Sequence, residues 1–143
     1  MSRREQIVAD IILALRDTED PIVSFVSREP FDYTQLSRQQ FPAVYVATAD
    51  EQRRDLTQRG TSGLREGRLQ VALTGFVNGN NIDVARNDLI ERVEERLDRD
   101  RTRGGYAYST QLTEVAVDMS IVQPYGRVDM IIEVVYTYQR GAA

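Results

Sequence analysis

The chain contains no cysteine, no histidine and, among 18 cationic side chains, no lysine; every one is arginine. Without cysteine there are no disulfides, thiolate metal sites or cysteine nucleophiles. Without histidine the commonest metal ligand and the side chain that titrates near neutral pH are both gone. Without lysine neither a Schiff base nor a phosphate-loop lysine can be built. Long apolar runs are missing too, so a transmembrane span is excluded and no membrane partner is expected. The opening Met-Ser-Arg-Arg-Glu has neither the apolar block nor the cleavage site of a signal peptide, which predicts a protein made and kept in a cytosol. A net charge of −4 argues against a protein that coats DNA, whose affinity would need a strong cationic excess.

What is there suits a soluble globular unit. The 143 residues, 41% hydrophobic and 28% charged, predict a single domain over 1–143. A chain of that length buries roughly 70% of the surface its unfolded form exposes. Using arginine alone suits protein interfaces, because its planar fork pairs bidentately and sheds water easily. Lineage bias accounts for the same usage.

Residues 2–16 predict a helix, with Ile7, Val8, Ile11, Ile12 and Leu15 on one face and Ser2 and Glu5 at capping-box spacing. Pro21 ends it, and 22–29 reads as a short strand. A proline-flanked connector (30–42) leads to strands at 43–50 and 68–77, separated by a long loop at about 51–66. Asn81 is placed to cap a second helix over 82–98, striped by Ile82, Ala85, Leu89, Val93 and Leu97. Its outer face, with Asp88, Arg92 and Arg96 four apart, reads as ion-paired and solvated. Residues 106–122 read as extended, with Val115, Val117, Met119 and Ile121 alternating. "QPYG" (123–126) fits a type I turn. The last strand, 127–139, sets Val128, Met130, Ile132, Val134, Tyr136 and Tyr138 on one face. The order α-β-β-β-α-β-β predicts an α+β fold: two helices packed on a mostly antiparallel sheet of about five strands.

No catalytic, cofactor or metal site emerges. Glycines 60, 63 and 67 have neither phosphate-loop nor dinucleotide-fold spacing, and a strand rather than a helix follows them. "DRDRTRGG" (98–105) starts like a calcium loop but offers Thr102, Arg103 and Ser109 where ligands or glycine are needed, so a frayed helix end is expected. Glu91, Glu94 and Glu95 lie among arginines on a helix surface. An enzyme is not expected. The stretch 53–68 carries five arginines against two acids: Arg53, Arg54, Arg59, Arg65 and Arg68. Three readings stay open for it: a charged hairpin tip, a nucleic-acid-binding arm lacking aromatic residues for base stacking, or a segment pairing with acids on a partner subunit. Tyrosines 106, 108, 136 and 138 suit strand packing first and interface anchoring second.

Taken in order, "REQIVADIILAL", the "LSRQQFPAVYVATADE" segment, the "GRLQVALTGFV" strand leading into an amphipathic helix, and the terminal "VDMIIEVVYTY" resemble the tail-terminator (tail-completion) proteins of long-tailed bacteriophages over most of the chain. The resemblance implies a small α+β structural protein of the virion, assembled in the host cytoplasm. It implies a ring, usually a homohexamer, at the head-proximal end of the tail tube that stops tube polymerisation and joins tail to neck. The implied partners are its own copies, the tail-tube protein, a neck or head-tail connector protein and, in contractile tails, the sheath protein; DNA would pass through without specific binding. It implies no cofactor. Another neck or head-tail component is the nearest alternative, and a small nucleic-acid-binding module is one of a different class. Arg53, Arg54, Arg59, Arg65 and Arg68 are then the candidate subunit or tube contacts.

Overall fold

The computed structural model describes residues 2–17, 19–57 and 63–139. Helix α1 (Arg3–Leu15) starts where the Ser2 hydroxyl accepts the Glu5 N–H at 3.1 Å. The reciprocal half of the expected capping box is absent, because the Glu5 carboxylate pairs with Arg28 at 2.6 Å. Ile7, Val8, Ile11 and Leu15 are its buried face. Strand β1 is only Phe25–Ser27, shorter than the expected 22–29; Ile22 and Val23 enter the core without joining the sheet.

Two short 3-10 turns, Tyr33–Gln35 and Arg38–Gln40, lead into strand β2 (Ala43–Asp55), followed by strand β3 (Leu64–Asn78). Asn81 Oδ1 accepts from Val84 N and starts helix α2 (Ile82–Asp98). Strand β4 (Ser109–Asp118) and strand β5 (Tyr125–Gln139) close the chain.

The sheet order is β1-β2-β3-β5-β4, antiparallel except where β1 pairs with β2 in parallel. Helix α2 crosses from β3 to the parallel β4, and β5 then returns to fill the gap between them, which gives the chain its α+β layering. Period-two alternation sends Leu69, Val71, Leu73 and Val77 of β3 to the same face as Val128, Met130, Ile132, Val134, Tyr136 and Tyr138 of β5. That face meets Ile7, Val8, Ile11 and Leu15 of α1 and Leu89, Val93 and Leu97 of α2 in one continuous core. On the opposite face the 28–42 connector folds over one end, where Phe31 and Tyr33 pack against Phe76 with ring centroids 5.5 and 4.9 Å apart.

Several expectations are corrected. The 122–125 turn is closed by Tyr125 N donating to Val122 O, with Pro124 third rather than second and the Gln123–Pro124 bond cis, so "QPYG" is not a type I turn. The 98–105 segment is not frayed: Asp100 accepts from Thr102 and Gly104 backbone N–H groups, and Arg103 is buried. Arg103, Gly104 and Gly105 all take positive φ there. Arg96 is buried as well, while Arg92 and Asp88 form the exposed pair expected of that helix face, at 3.1 Å.

Candidate functional site

The arginine-rich stretch is the most extensive correction. The long loop expected at about 51–66 is paired sheet on both sides. After a bulge between Thr48 and Glu51 the ladder resumes, Glu51 opposite Leu69 and Asp55 opposite Arg65. Strand β5 runs alongside all of β3, from Tyr125 opposite Asn78 to Gln139 opposite Leu64. Five paired positions past the bulge make a three-stranded tongue about 17 Å long, at roughly 3.3 Å per residue. The strands join across residues 56–63, of which 58–62, Arg59 among them, lie outside the described residues.

Ion pairs and aromatic contacts hold this tongue together where the rest of the sheet uses apolar alternation. Arg53 lies on the helix-side face, ion-paired to Glu51 and 5.2 Å above the Tyr138 ring. Arg54 forks onto Glu66 at 3.0 and 3.4 Å. Arg65 meets Asp55 at 2.9 Å, and Arg68 reaches Glu66 at 3.1 Å and Glu133 at 3.3 Å. The four described arginines are therefore matched to acids of their own sheet. The Arg54 hydrogen bonds, followed by the charges of Arg54 and Arg68, hold the Glu66 carboxyl below its usual range. Arg54 and Arg68 are exposed but the Glu66 carboxylate they share is buried, so both are held to the sheet through it.

One buried network anchors the tongue. The Tyr136 hydroxyl donates to Glu51 at 2.8 Å, and Arg53 Nη2 donates back to it at 3.4 Å. Burial first, then the hydrogen bond to Glu51, pushes the Tyr136 phenol up to about 12. The hydrogen bond to Glu51 raises Arg53 in turn. Tyr136 stacks on Tyr138 at 5.6 Å and lies flat across Gly67, where a Cβ would come within 2.6 Å of its ring. Gly67 is thus the gap that admits the ring. Tyr136 and Tyr138 are packing residues here, and Tyr108 is exposed.

The sheet ends on both sides in open edges. Strand β4 has no neighbour beyond it, and β1 covers β2 only from Ala43 to Tyr45, leaving the rest of the β2 edge bare among the described residues. Val115 and Val117 of β4 point to the helix side yet are about two-fifths exposed, because the strand lies at the rim of the helical layer. The alternation of 106–122 is therefore real but only partly buried. The sheet face away from the helices is polar beyond its aromatic end. Glu66, Glu114, Asp118, Asp129 and Glu133 share it with Arg54, Arg68 and Arg127, by the strand registers.

Three arginines are buried: Arg96 and Arg103, expected on a solvated helix face and a frayed end, and Arg86, not singled out in the sequence. Arg96 donates to Ala14 O at 2.8 Å and Asp20 O at 2.6 Å, tying α2 to the end of α1. Arg103 donates to Leu97 O at 2.7 Å, to Asp100 O and to Asp10 at 3.1 Å. Burial lowers Arg103 and raises Asp10, the mutual attraction offsetting both in part. Arg86 lies between α2 and the β4–β5 connection. Arg86 and Arg96 continue the spacing of the stripe Ile82, Leu89 and Val93, a signal legible in the sequence had charge not been taken to mean exposure.

Among the described residues no group of three or more acids could hold a metal ion, and no helix is long and apolar enough to cross a membrane. No protein-family model and no curated protein matches the chain. Among solved structures it is similar to a chain of the virion of a native gene transfer agent particle: 12% identity, over 96% of this chain and 92% of that one, TM-score 0.49.

Proposed function

We propose that this protein is a structural component of a phage-like virion, a tail terminator whose copies close into a ring at the head-proximal end of the tail tube. It works by geometry and is not an enzyme. The observation that carries the reading beyond the sequence resemblance is the sheet with two dissimilar open edges, β4 on one side and the distal half of β2 on the other. Dissimilar edges suit head-to-tail contacts, which generate a closed ring when the rotation closes and an endless filament when it does not. Six copies is the number that the resemblance implies.

The three-stranded tongue is the element we assign to the neighbouring subunit or the tube, with the exposed Arg54 and Arg68 side chains adding a partner's acids to the buried Glu66 they already hold. On the polar face, Arg127 pairs with Asp129 at 3.2 Å and Arg68 with Glu133 at 3.3 Å, so opposite charges neutralise one another locally. Such a face can border a DNA path without capturing the DNA. The same internal pairing disfavours the nucleic-acid-binding module. The neck or connector component stays as the second reading, since it would use the same edges.

Native mass in solution tests the ring. The expected result is a discrete oligomer, or a monomer that assembles only with tube protein, and no salt-sensitive affinity for DNA. Val115→Lys should block the β4 edge and abolish assembly without unfolding the chain. Steeply salt-dependent DNA binding by a monomer that never assembles would replace the structural reading with the module.

A further inference from the structure

Arg86 is 7% exposed and sparsely partnered for a buried charge. Arg96 and Arg103 each donate to two backbone carbonyl oxygens and a carboxylate. The Arg86 guanidinium has one ion pair, to Asp83 at 3.5 Å, and a weak contact to the Met119 sulfur at 3.9 Å. Its Nε–H is buried without a hydrogen-bond partner, as are those of Arg96 and Arg103. Leaving a buried donor unmatched is costly, more so on a charged group.

The guanidinium lines a cavity of about 210 Å³ between the start of α2 and the β4–β5 connection, together with Asn81, Met119, Ile121 and Gln123. Gly126 makes the room: a Cβ there would lie 3.2 Å from Arg86 Nη1 and 2.3 Å from Ile82 Cγ2. The positive end of α2 opens onto the same space. Cation and helix terminus together call for an anion, and a carboxylate entering the cavity would meet the outer guanidinium nitrogens, the Nε–H being closed off from solvent. The rim says what carries it. Met119, in the cavity lining, and Val122, between the lining residues Ile121 and Gln123 in sequence, are each 77% exposed, and an inorganic anion would gain nothing from them.

We propose that the Arg86 cavity is a docking site for a single carboxylate side chain presented, between apolar neighbours, by a segment of a partner protein. Charge complementarity fixes the carboxylate and the exposed apolar rim fixes the polypeptide source. The site does not depend on tube capping, and its test does not involve assembly.

The test follows the Arg86 Nε–Hε resonance of ¹⁵N-labelled protein, assigned with Arg86→Lys, during titration with four probes. These are acetyl-Val-Glu-Val-amide, its Gln counterpart, sodium acetate and inorganic phosphate. The Glu peptide should shift the resonance saturably, at a concentration at least about tenfold below acetate or phosphate, and the Gln peptide should leave it in place. Replacing Met119 and Val122 by serine, with Arg86 intact, should weaken the Glu peptide about fivefold and leave acetate unchanged. Equal response to both peptides, or none by about 10 mM, would overturn the proposal. Acetate or phosphate matching the Glu peptide would reduce the cavity to a free-anion site and overturn the polypeptide source. A shift that grows with protein concentration alone would make the occupant a second copy of this chain and overturn the partner assignment.

Discussion

Replacing Tyr136 by phenylalanine isolates the network that holds the tongue to the sheet. The ring, its stacking on Tyr138 and its fit over Gly67 all survive; only the hydroxyl that donates to Glu51 at 2.8 Å is lost. Glu51 keeps Arg53 but loses a neutral donor in a nearly solvent-free setting. A hydrogen bond to a charged acceptor is worth about 1.5–3 kcal/mol, which is the expected loss in urea unfolding at about pH 8. Alkaline titration reads the burial of the phenol together with that hydrogen bond. The phenol rises from 10.0 to about 12 on folding. A raised folded-state value contributes stability that is complete below the unfolded value and is lost as pH climbs through the folded one. That window, pH 10 to about 12, corresponds to roughly 2–3 kcal/mol at 1.36 kcal/mol per unit. The gap between the wild type and Tyr136→Phe should therefore be widest near neutral pH and narrow above about pH 10. Equal stability at neutral pH, or a gap unchanged to about pH 11.5, would refute the reasoning.

Three further outcomes follow from the same geometry. Gly67→Ala drives a Cβ to within 2.6 Å of the Tyr136 ring and should cost about 1–3 kcal/mol in chemical unfolding, with Tyr136→Ala in the same chain relieving part of the clash. Arg96→Met removes the donors to Ala14 O and Asp20 O, stranding a carbonyl at the end of α1, and should cost roughly 2–3 kcal/mol with hydrogen exchange faster first around residues 12–20. Stability should fall as pH drops below about 4, because Glu66, Asp100 and Asp118 have folded values below their unfolded ones, so their contributions hold above the unfolded values and vanish as pH falls through the folded ones. Asp10, raised by burial, opposes that loss, and Asp10→Asn, which mimics the protonated acid, should raise stability near neutral pH and leave the acid limb unchanged.

Where a segment packs by period, the sequence was readable almost to the residue. Val128 to Tyr138 alternate because a single face meets both helices, and Asn81 to Asp98 run from a capping side chain through an apolar stripe. The tongue was missed for a physical reason. "EQRRD" alternates ionic partners rather than apolar ones, so Glu51, Arg53 and Arg54 read as loop until Glu66, Tyr136 and Tyr138 are placed beside them from far along the chain. The parallel pairing of β1 depends on tertiary contacts in the same way. Val115 and Val117 show the opposite limit: the alternation is present, but how far the helices extend over an edge strand is not written in the strand itself. Burial of Arg103 depends on the carbonyl groups of Leu97 and Asp100 at a helix end, which no side-chain pattern advertises.

The central proposal is that this chain ends a polymer by closing into a ring on it. Electron microscopy of its tail-tube protein, polymerised with and without it, addresses that directly. The account predicts tubes of limited length, each bearing a sixfold ring at one end, with Val115→Lys leaving ends bare. Tubes that lengthen unchecked while the protein stays unbound would contradict it.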